Sequence, residues 1–327
     1  MHVTTLTWAI TVLVILGLFV FDFFAHVRTP HEPTFRESGF WSAVYIGIAL
    51  LFGGFVAWQW GGTYAGEYYA GFVTEKALSV DNLFIFLIIM STFAVPRIYQ
   101  QKVLLIGIVL ALVMRGVFIA VGAAAISAFS WVFYLFGAFL IYTAAKLLKE
   151  SGHEEEVEEK RDSRIVALVK RIFPTTDEYH GDKLVTRIDG RRTLTPLLLA
   201  LLAIGFADLL FALDSIPAIY GLTEQPYLVF TANAFALMGL RQLFFLIGGL
   251  LDRLVYLSYG LAAILAFIGV KLVLHALHEN TLPFLNGGEH IAVPEISTPV
   301  SLGVILGILA VATVASLAKT RGTVKQS

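Results

Sequence analysis

The chain has 327 residues, no cysteine, a net charge of −1 and 57% apolar residues, with a mean hydropathy of +0.79. Only 14% of the residues are charged, whereas a soluble domain usually carries about 25%. This composition excludes a soluble globular protein, a disordered chain, a basic nucleic-acid-binding protein and a disulfide-rich secreted scaffold, and it indicates a polytopic membrane protein.

Nine apolar runs are long enough to cross about 30 Å of hydrocarbon. They predict an all-α membrane protein of about nine spanning helices, numbered here spans 1 to 9: 5–26, 41–60, 69–94, 102–124, 129–148, 195–220, 227–250, 255–276 and 299–318. Span 1 lacks a basic start, so it resembles a spanning helix more than a cleaved signal peptide. The predicted organisation is a first membrane half (1–148), a charged linker (149–194) and a second membrane half (195–327).

Connections rich in lysine and arginine alternate with connections that have none. The linker region alone carries ten, from Lys149 to Arg192, whereas 61–68, 125–128, 221–226 and 277–298 carry none. Because basic residues stay in the cytosol, this pattern predicts an outside N-terminus and a cytosolic C-terminus in a bacterial plasma (inner) membrane. The acidic segment from His153 to Glu159 is interpreted as a solvated linker, with a metal-collecting patch as the alternative.

Spans 3–5 and 6–8 resemble each other. Spans 3 and 6 each carry two acids six residues apart, spans 4 and 7 each carry an arginine followed by phenylalanine and glycine at equal spacing, and spans 5 and 8 each end near a lysine: Glu75, Asp81, Asp208, Asp214, Arg115, Arg241, Lys146 and Lys271. The charge rule gives the two sets opposite orientations, which predicts an inverted-topology repeat. Transporters with such repeats bind their substrates near mid-membrane, at the repeat interface.

Four carboxylates inside predicted spans need an explanation, because each costs roughly 2.5–3.5 kcal/mol at the centre of a spanning helix. One interpretation is a cation site built from the acids of spans 3 and 6, with the arginines as partners or gates. The other is neutralisation by supporting ion pairs with the bases of the same region, which are Lys76, Arg115, Arg241 and Lys271. We favour the cation site.

Helix geometry separates the two acids of each pair, because residues six apart differ by about 120° around a helix. Either one acid of each pair faces the path and the other a neighbouring helix, or the helix is locally unwound. Pro217 offers a reason for unwinding beside Asp214, since it cannot donate to the carbonyl of Leu213; a simple kink is the alternative. Asn233 in span 7 is interpreted as an interhelical hydrogen-bonding group.

Asp22 and His26 lie one turn apart near the cytosolic end of span 1, where they form either the mouth of an ion path or an interfacial pair. Carboxylate, amide and carbonyl oxygens without thiolates favour hard divalent cations such as Mg²⁺, Ca²⁺ or Mn²⁺. Carboxylates also bind protons, so proton coupling is compatible with the same residues. We expect no permanently bound cofactor.

Several stretches are similar to the TerC family, which is named for tellurite resistance and includes the Alx proteins. They are 71–84 (GFVTEKALSVDNLF), 208–218 (DLLFALDSIPA), 233–241 (NAFALMGLR) and two shorter ones around 21–28 and 37–43. The resemblance covers most of residues 1–276. It implies an integral membrane protein that exports Mn²⁺ from the cytosol, with candidate ion-path residues Asp22, Glu75, Asp81, Asn82, Asp208 and Asp214. Tellurite itself fits poorly, because carboxylates repel an oxyanion.

The expected function is therefore efflux of a divalent metal cation across the lipid bilayer, without enzymatic activity and without nucleic-acid partners. One alternative is a non-transporting membrane partner of the secretion or insertion machinery. A second alternative is an intramembrane aspartyl protease, in which two aspartates share a proton. The expected Gly-x-Gly-Asp context is missing, because the sequence before Asp208 reads Gly205-Phe206-Ala207.

Overall fold

The computed structural model describes the backbone of residues 1–27, 32–129, 131–150, 175–176, 178–188, 191–247, 256–279, 293–294 and 296–324. Within these ranges the side chains at 26, 27, 81, 84, 150, 191, 247, 279 and 320–324 are not described. The acidic segment 153–159 therefore lies outside the described residues, as do the side chains of His26 and Asp81.

Helices account for nearly all of the described chain. They are α1 (Thr5–Asp22, continued by a π-helical turn Phe23–Val27), α2 (Phe35–Trp60), α3 (Gly62–Thr92), α4 (Arg97–Ala128), α5 (Val132–Glu150), α6 (Pro196–Tyr220), α7 (Pro226–Leu237), α8 (Leu240–Ile247), α9 (Leu257–Glu279) and α10 (Thr298–Val324). Two short strands, β1 (Val185–Ile188) and β2 (Arg191–Leu194), form an antiparallel hairpin.

Eight segments of the described chain are long and apolar enough to cross a membrane. The remaining long helix, α3, has 31 residues but carries several charged side chains, including Glu67 and Glu75. The protein is thus an all-α, multi-pass membrane protein, as the sequence predicts. Several helices extend beyond their predicted apolar runs, because polar residues at a helix end continue the backbone hydrogen bonding without adding hydropathy.

Helix starts follow local sequence signals. Thr34 and Glu37 form a capping box at α2: the Thr34 hydroxyl accepts from the Glu37 N–H at 3.2 Å, and the Glu37 carboxylate accepts from the Thr34 N–H at 3.4 Å. Pro196 and Pro226 occupy the first positions of α6 and α7, where proline needs no backbone donor.

The structure places the helix interruption in a different span from the one considered in the sequence. α6 continues through Pro217 to Tyr220, so the local unwinding considered beside Asp214 does not occur. Span 7 is interrupted instead: α7 ends at Leu237, Gly239 has a φ of +76°, and α8 begins at Leu240. A left-handed backbone of this kind favours glycine.

The bundle is built from pairs of helices drawn from its two halves. α3 packs against α7, α4 against α6, α3 against α6, and α5 against α9. The α5–α9 contact is closest at Gly137 and Gly269, because a Cβ on either glycine would come within 2.9 Å of the carbonyl oxygen of the other. Close approach of this kind between membrane helices depends on small residues.

The hairpin lies at one end of the bundle, which we call the hairpin end. The Tyr179 hydroxyl donates to the Phe93 carbonyl at 2.6 Å, and the Lys102 ammonium lies 2.7 Å from an Asp182 carboxylate oxygen. These contacts join the segment before β1 to the connection between α3 and α4. The hairpin was not predicted from the sequence.

Candidate functional site

Arg115 is fully buried where α3, α4 and α6 meet. It binds Asp208 through two parallel hydrogen bonds, from Nε to Oδ2 at 3.0 Å and from Nη2 to Oδ1 at 2.9 Å. Its Nη1 donates to Glu75 Oε1 and to the Ser215 hydroxyl. One acid of span 3 and one acid of span 6 therefore converge on one guanidinium. We call Glu75, Arg115, Asp208 and Ser215 the central cluster.

The central cluster lies near the middle of the helices that build it. Asp208 is twelve residues from either end of α6, which corresponds to about 18 Å of helix on each side. Glu75 is likewise close to the midpoint of α3. Side chains at this depth in a bundle of spanning helices are remote from both membrane surfaces.

Negative charge exceeds positive charge in the central cluster. Two carboxylates and one guanidinium give a formal charge of −1, and Glu75 and Asp208 are only 0% and 1% exposed. Removing such charges from water is costly unless they are paired and hydrogen-bonded. The second oxygen of Glu75, Oε2, is buried and has no hydrogen-bond partner within the described structure.

Further buried oxygens with no hydrogen-bond partner among the described residues lie on α3 and on the adjacent α7. They belong to Thr74, Ser79 and Asn233. Buried polar side chains are nearly always hydrogen-bonded in native proteins, so such a group needs an explanation. Hydroxyl, amide and carboxylate oxygens are the ligands that hard divalent cations prefer.

A second charged cluster lies toward the hairpin end, where α1, α2, α4 and α8 approach one another. Oδ1 of Asp22 accepts from the Tyr45 hydroxyl at 2.7 Å, from Arg241 Nη2 at 2.8 Å and from Gln242 Nε2 at 3.0 Å. Arg241 also donates to Gln101. We call these five residues the hairpin-end cluster; Asp22 is 6% exposed and Arg241 3%.

The other predicted acids and bases lie elsewhere. Asp214 is partly buried and accepts from the Thr143 hydroxyl of α5 at 3.1 Å, on a different side of α6 from Asp208. Asn82 is buried. Lys76 was grouped with the supporting ion pairs, but its ammonium donates instead to the carbonyls of Ala236 at 2.9 Å and Met238 at 3.3 Å.

At the end opposite the hairpin, the helices enclose a cleft of about 530 Å³. Glu67, Lys271 and Glu224 are among its lining residues. The Glu67 carboxylate accepts from Thr223 at 2.6 Å, and Glu224 lies 2.9 Å from His275. The hydrogen bond from His275 lowers the pKa of Glu224, which favours the ionised form of that carboxyl group.

Among the described residues, no three side chains of the types His, Asp and Glu are grouped closely enough to hold a metal ion. In this conformation the Arg115 guanidinium is bound to Glu75 and Asp208, the two carboxylates that would serve as cation ligands. The arrangement is therefore a partly compensated ionic site, in which one guanidinium neutralises one of two carboxylates.

The partners of the two arginines and of Asp22 include residues that the sequence analysis did not identify as site residues. Ser215, Tyr45, Gln101 and Gln242 are all hydrogen-bonded to the buried charges. Ser215, Tyr45 and Gln242 are polar residues within apolar spans and Gln101 directly precedes one, which is the available sequence signal. Sequence alone does not show which of many such residues face the bundle interior.

The fold and this buried charged core define a multi-pass membrane protein with an interior ionic site. Residues 60–324 match the model of the integral membrane protein TerC family, and the chain belongs to that family.

Its relatives include the uncharacterized membrane protein Rv2723 of Mycobacterium tuberculosis, which is 52% identical over 98% of this chain and 81% of the relative. The uncharacterized membrane protein STKORF319 of Myxococcus xanthus is 38% identical, over 96% and 92% respectively. Alx of Escherichia coli (strain K12), a candidate membrane-bound redox modulator by name, is 34% identical over 94% and 92%. No solved structure matches the chain.

Proposed function

We propose that this protein is a membrane transporter that exports divalent cations, with Mn²⁺ as its principal cargo. The observation that carries the proposal is the central cluster, in which Glu75 and Asp208 converge on Arg115 with a formal charge of −1. A buried surplus of negative charge at mid-membrane is typical of an ion or proton pathway. The unpartnered oxygens of Thr74, Ser79 and Asn233 add ligands that suit a hard cation.

Arg115 acts in this proposal as a built-in counter-ion. It compensates Glu75 and Asp208 while no cargo is bound, and the arriving cation takes over one or both carboxylates. The bidentate geometry on Asp208 makes that contact the stronger of the two. Glu75, which keeps one oxygen without a partner, is therefore the first cargo ligand.

The path is proposed to run from the hairpin end to the cleft at the opposite end. The distribution of basic residues predicts that the hairpin end faces the cytosol. The hairpin-end cluster closes the cytosolic side in the conformation described here, because its Asp22–Arg241 pair is almost completely buried. Asp81, Asn82 and Asp214 are retained as further path residues.

The packing supports the proposal of an inverted repeat. Exchanging spans 3, 4 and 5 with spans 6, 7 and 8 turns the α3–α7 contact into the α6–α4 contact. The same exchange maps the α3–α6 and α5–α9 contacts onto themselves. The reciprocal approach of Gly137 and Gly269 has this symmetry, and it supports a pseudo-twofold axis between α5 and α9. Repeats of this kind provide alternating access around a central site.

Two other functions receive less support from the same residues. A protease pair needs two carboxylates that share a proton, whereas Glu75 and Asp208 both bind a guanidinium. The name of the Alx relative suggests redox modulation, yet this chain has no cysteine and so has no thiol chemistry of its own.

Flux measurements on purified protein in lipid vesicles test the proposal. We expect Mn²⁺ flux to exceed that of Mg²⁺, Ca²⁺ and Fe²⁺, and to fall by about tenfold or more in Glu75→Gln. Asp182→Asn, which removes an exposed acid far from the central cluster, is the matched control and should transport normally. Absence of divalent flux in the wild type, or an unchanged rate in Glu75→Gln, contradicts the proposal and favours a non-transporting role in secretion or membrane insertion.

A further inference from the structure

The interruption of span 7 leaves backbone carbonyls without helical partners inside the bundle. α7 ends at Leu237, and its last carbonyls accept no i→i+4 hydrogen bond. They also carry the negative end of the helix dipole. Ala236, Leu237 and Met238 are 0%, 1% and 3% exposed, so water does not satisfy these carbonyls and the protein must.

The side chain that reaches this helix end is Lys76 of α3. Its ammonium donates to the carbonyls of Ala236 at 2.9 Å and Met238 at 3.3 Å. Among the side chains that the structure describes, no carboxylate lies within 4 Å of it. A positive charge held by backbone oxygens at the negative end of a broken helix is the arrangement in which transporters bind a small cation.

Lys76 also links the two charged clusters. It follows Glu75 directly in α3, while Arg241 lies two residues beyond Gly239 in α8. Because Glu75 and Lys76 are consecutive residues of one helix, a rigid shift of α3 that draws Glu75 away from Arg115 would also displace Lys76 relative to the end of α7. The contact stands between the proposed cargo site and the hairpin-end cluster.

We propose that the broken end of α7 is a second cation site, suited to a monovalent cation, and that the ammonium of Lys76 fills it as a tethered ion. The inference rests on the proposed function, because a coupling site has meaning only in a transporter. The tethered charge binds when α3 and α7 are together and leaves when they separate. Transport by the wild type then needs no free Na⁺ or K⁺.

Shortening the side chain tests this directly, because Lys76→Ala empties the site. Thermal unfolding of the purified protein in detergent is measured without divalent cations, in choline chloride, sodium chloride or methylammonium chloride. We expect methylammonium or Na⁺ to raise the midpoint of Lys76→Ala by about 2–4 °C over choline, and to leave the wild type unchanged. In vesicles, Mn²⁺ flux through Lys76→Ala should fall about tenfold in choline and recover with methylammonium.

A second variant separates a tethered charge from simple capping. The amide of Lys76→Gln can donate to the same carbonyls but carries no charge. We expect its flux to fall about tenfold, without rescue by methylammonium, because its side chain still fills the space. Lys102→Ala removes a lysine that pairs with Asp182 at the surface and should show no response to methylammonium.

Wild-type flux in Lys76→Gln, or no response of Lys76→Ala to either cation, overturns the inference. If Lys76→Ala does not fold, the flux through Lys76→Gln alone decides whether the inference holds. Failure of the proposed function looks different: the wild type then carries no divalent flux, while the unfolding midpoint of Lys76→Ala still responds to methylammonium.

Discussion

The two buried arginines of this protein stand in contrasting surroundings. Arg115 binds two carboxylates, Glu75 and Asp208, so the central cluster has a formal charge of −1. Among the described side chains, Arg241 binds one carboxylate, Asp22, and donates to the neutral amide of Gln101. Asp22 also accepts from the Tyr45 phenol and the Gln242 amide. Counted over the residues that the structure describes, the central cluster therefore has one carboxylate in excess, whereas the hairpin-end cluster pairs one carboxylate with one guanidinium.

This difference suggests a division of roles. A balanced, hydrogen-bonded pair needs no further ion and holds helices together, which is what a closed gate requires. A surplus carboxylate buried at mid-membrane favours a cation as its partner, because burial separates it from the solvent that would otherwise stabilise its charge. We therefore expect substitutions in the central cluster to change both stability and cargo binding, and substitutions in the hairpin-end cluster to change stability alone.

Removal of Arg115 should have the largest effect. Arg115→Met leaves two buried carboxylates without a counter-charge, so we expect a loss of about 3–5 kcal/mol of stability. Arg241→Met should cost less, because Asp22 keeps its bonds from Tyr45 and Gln242. Thermal unfolding in detergent compares the two variants, with and without Mn²⁺. Mn²⁺ should restore Arg115→Met more than Arg241→Met. Equal losses of stability in both variants, with no response to Mn²⁺, would contradict the proposed difference between the two clusters.

Neutralising the surplus charge should weaken Mn²⁺ binding at a smaller cost in stability. Glu75→Gln gives the central cluster the same formal charge as the hairpin-end cluster, while Asp208 still holds Arg115 through two hydrogen bonds. We expect Mn²⁺ affinity to fall by about tenfold or more, with the unfolding free energy changed by about 1–2 kcal/mol. Isothermal titration and unfolding of the same preparation provide both numbers. Intact affinity in Glu75→Gln would contradict the division of roles.

Loss of one hydrogen bond at the hairpin end should affect stability but not the cargo site. Tyr45→Phe removes a donor to the Asp22 carboxylate, so we expect a destabilisation of about 1.5–3 kcal/mol. Tyr69→Phe is the control, because its hydroxyl donates to the neutral Leu50 carbonyl and should cost about 0.5–1.5 kcal/mol. Mn²⁺ affinity should be unchanged in both variants. A weakened affinity in Tyr45→Phe would place Asp22 in the cargo site itself.

The smallest effect is expected at the surface pair of Lys102 and Asp182. The hydrogen bond from Lys102 lowers the pKa of Asp182 below its ordinary value of 3.8. A lowered pKa stabilises the fold above the ordinary value, and the contribution disappears as the pH falls through the lowered one. Asp182→Asn should therefore cost less than about 1 kcal/mol at neutral pH and nothing in strong acid. The unfolding midpoints of the wild type and Asp182→Asn at neutral pH and in strong acid check this. The Mn²⁺ flux of the variant should be unchanged. A larger loss at neutral pH, or impaired flux, would show that this pair does more than join the surface segments.

Hydropathy and the spacing of rare charges predicted the spans and drew attention to the acids and both arginines. They did not predict which of them pair, because the bonds from Arg115 to Glu75 and Asp208 depend on how three helices pack. The interruption at Gly239 was missed because glycine within an apolar run resembles any small packing residue. Pro217 was a more conspicuous signal, yet α6 continues through it. The partners of Lys76 are backbone carbonyls, which every residue possesses and which no sequence pattern marks.

Equilibrium Mn²⁺ binding to the purified protein, followed by electron paramagnetic resonance of the free ion, tests the contrast between the two clusters most directly. The wild type, Glu75→Gln and Asp22→Asn are compared at the same protein concentration. We expect Glu75→Gln to bind one Mn²⁺ fewer per protein than the wild type, and Asp22→Asn to bind the same number as the wild type. Retention in Glu75→Gln, or loss only in Asp22→Asn, would contradict a cargo site at the central cluster.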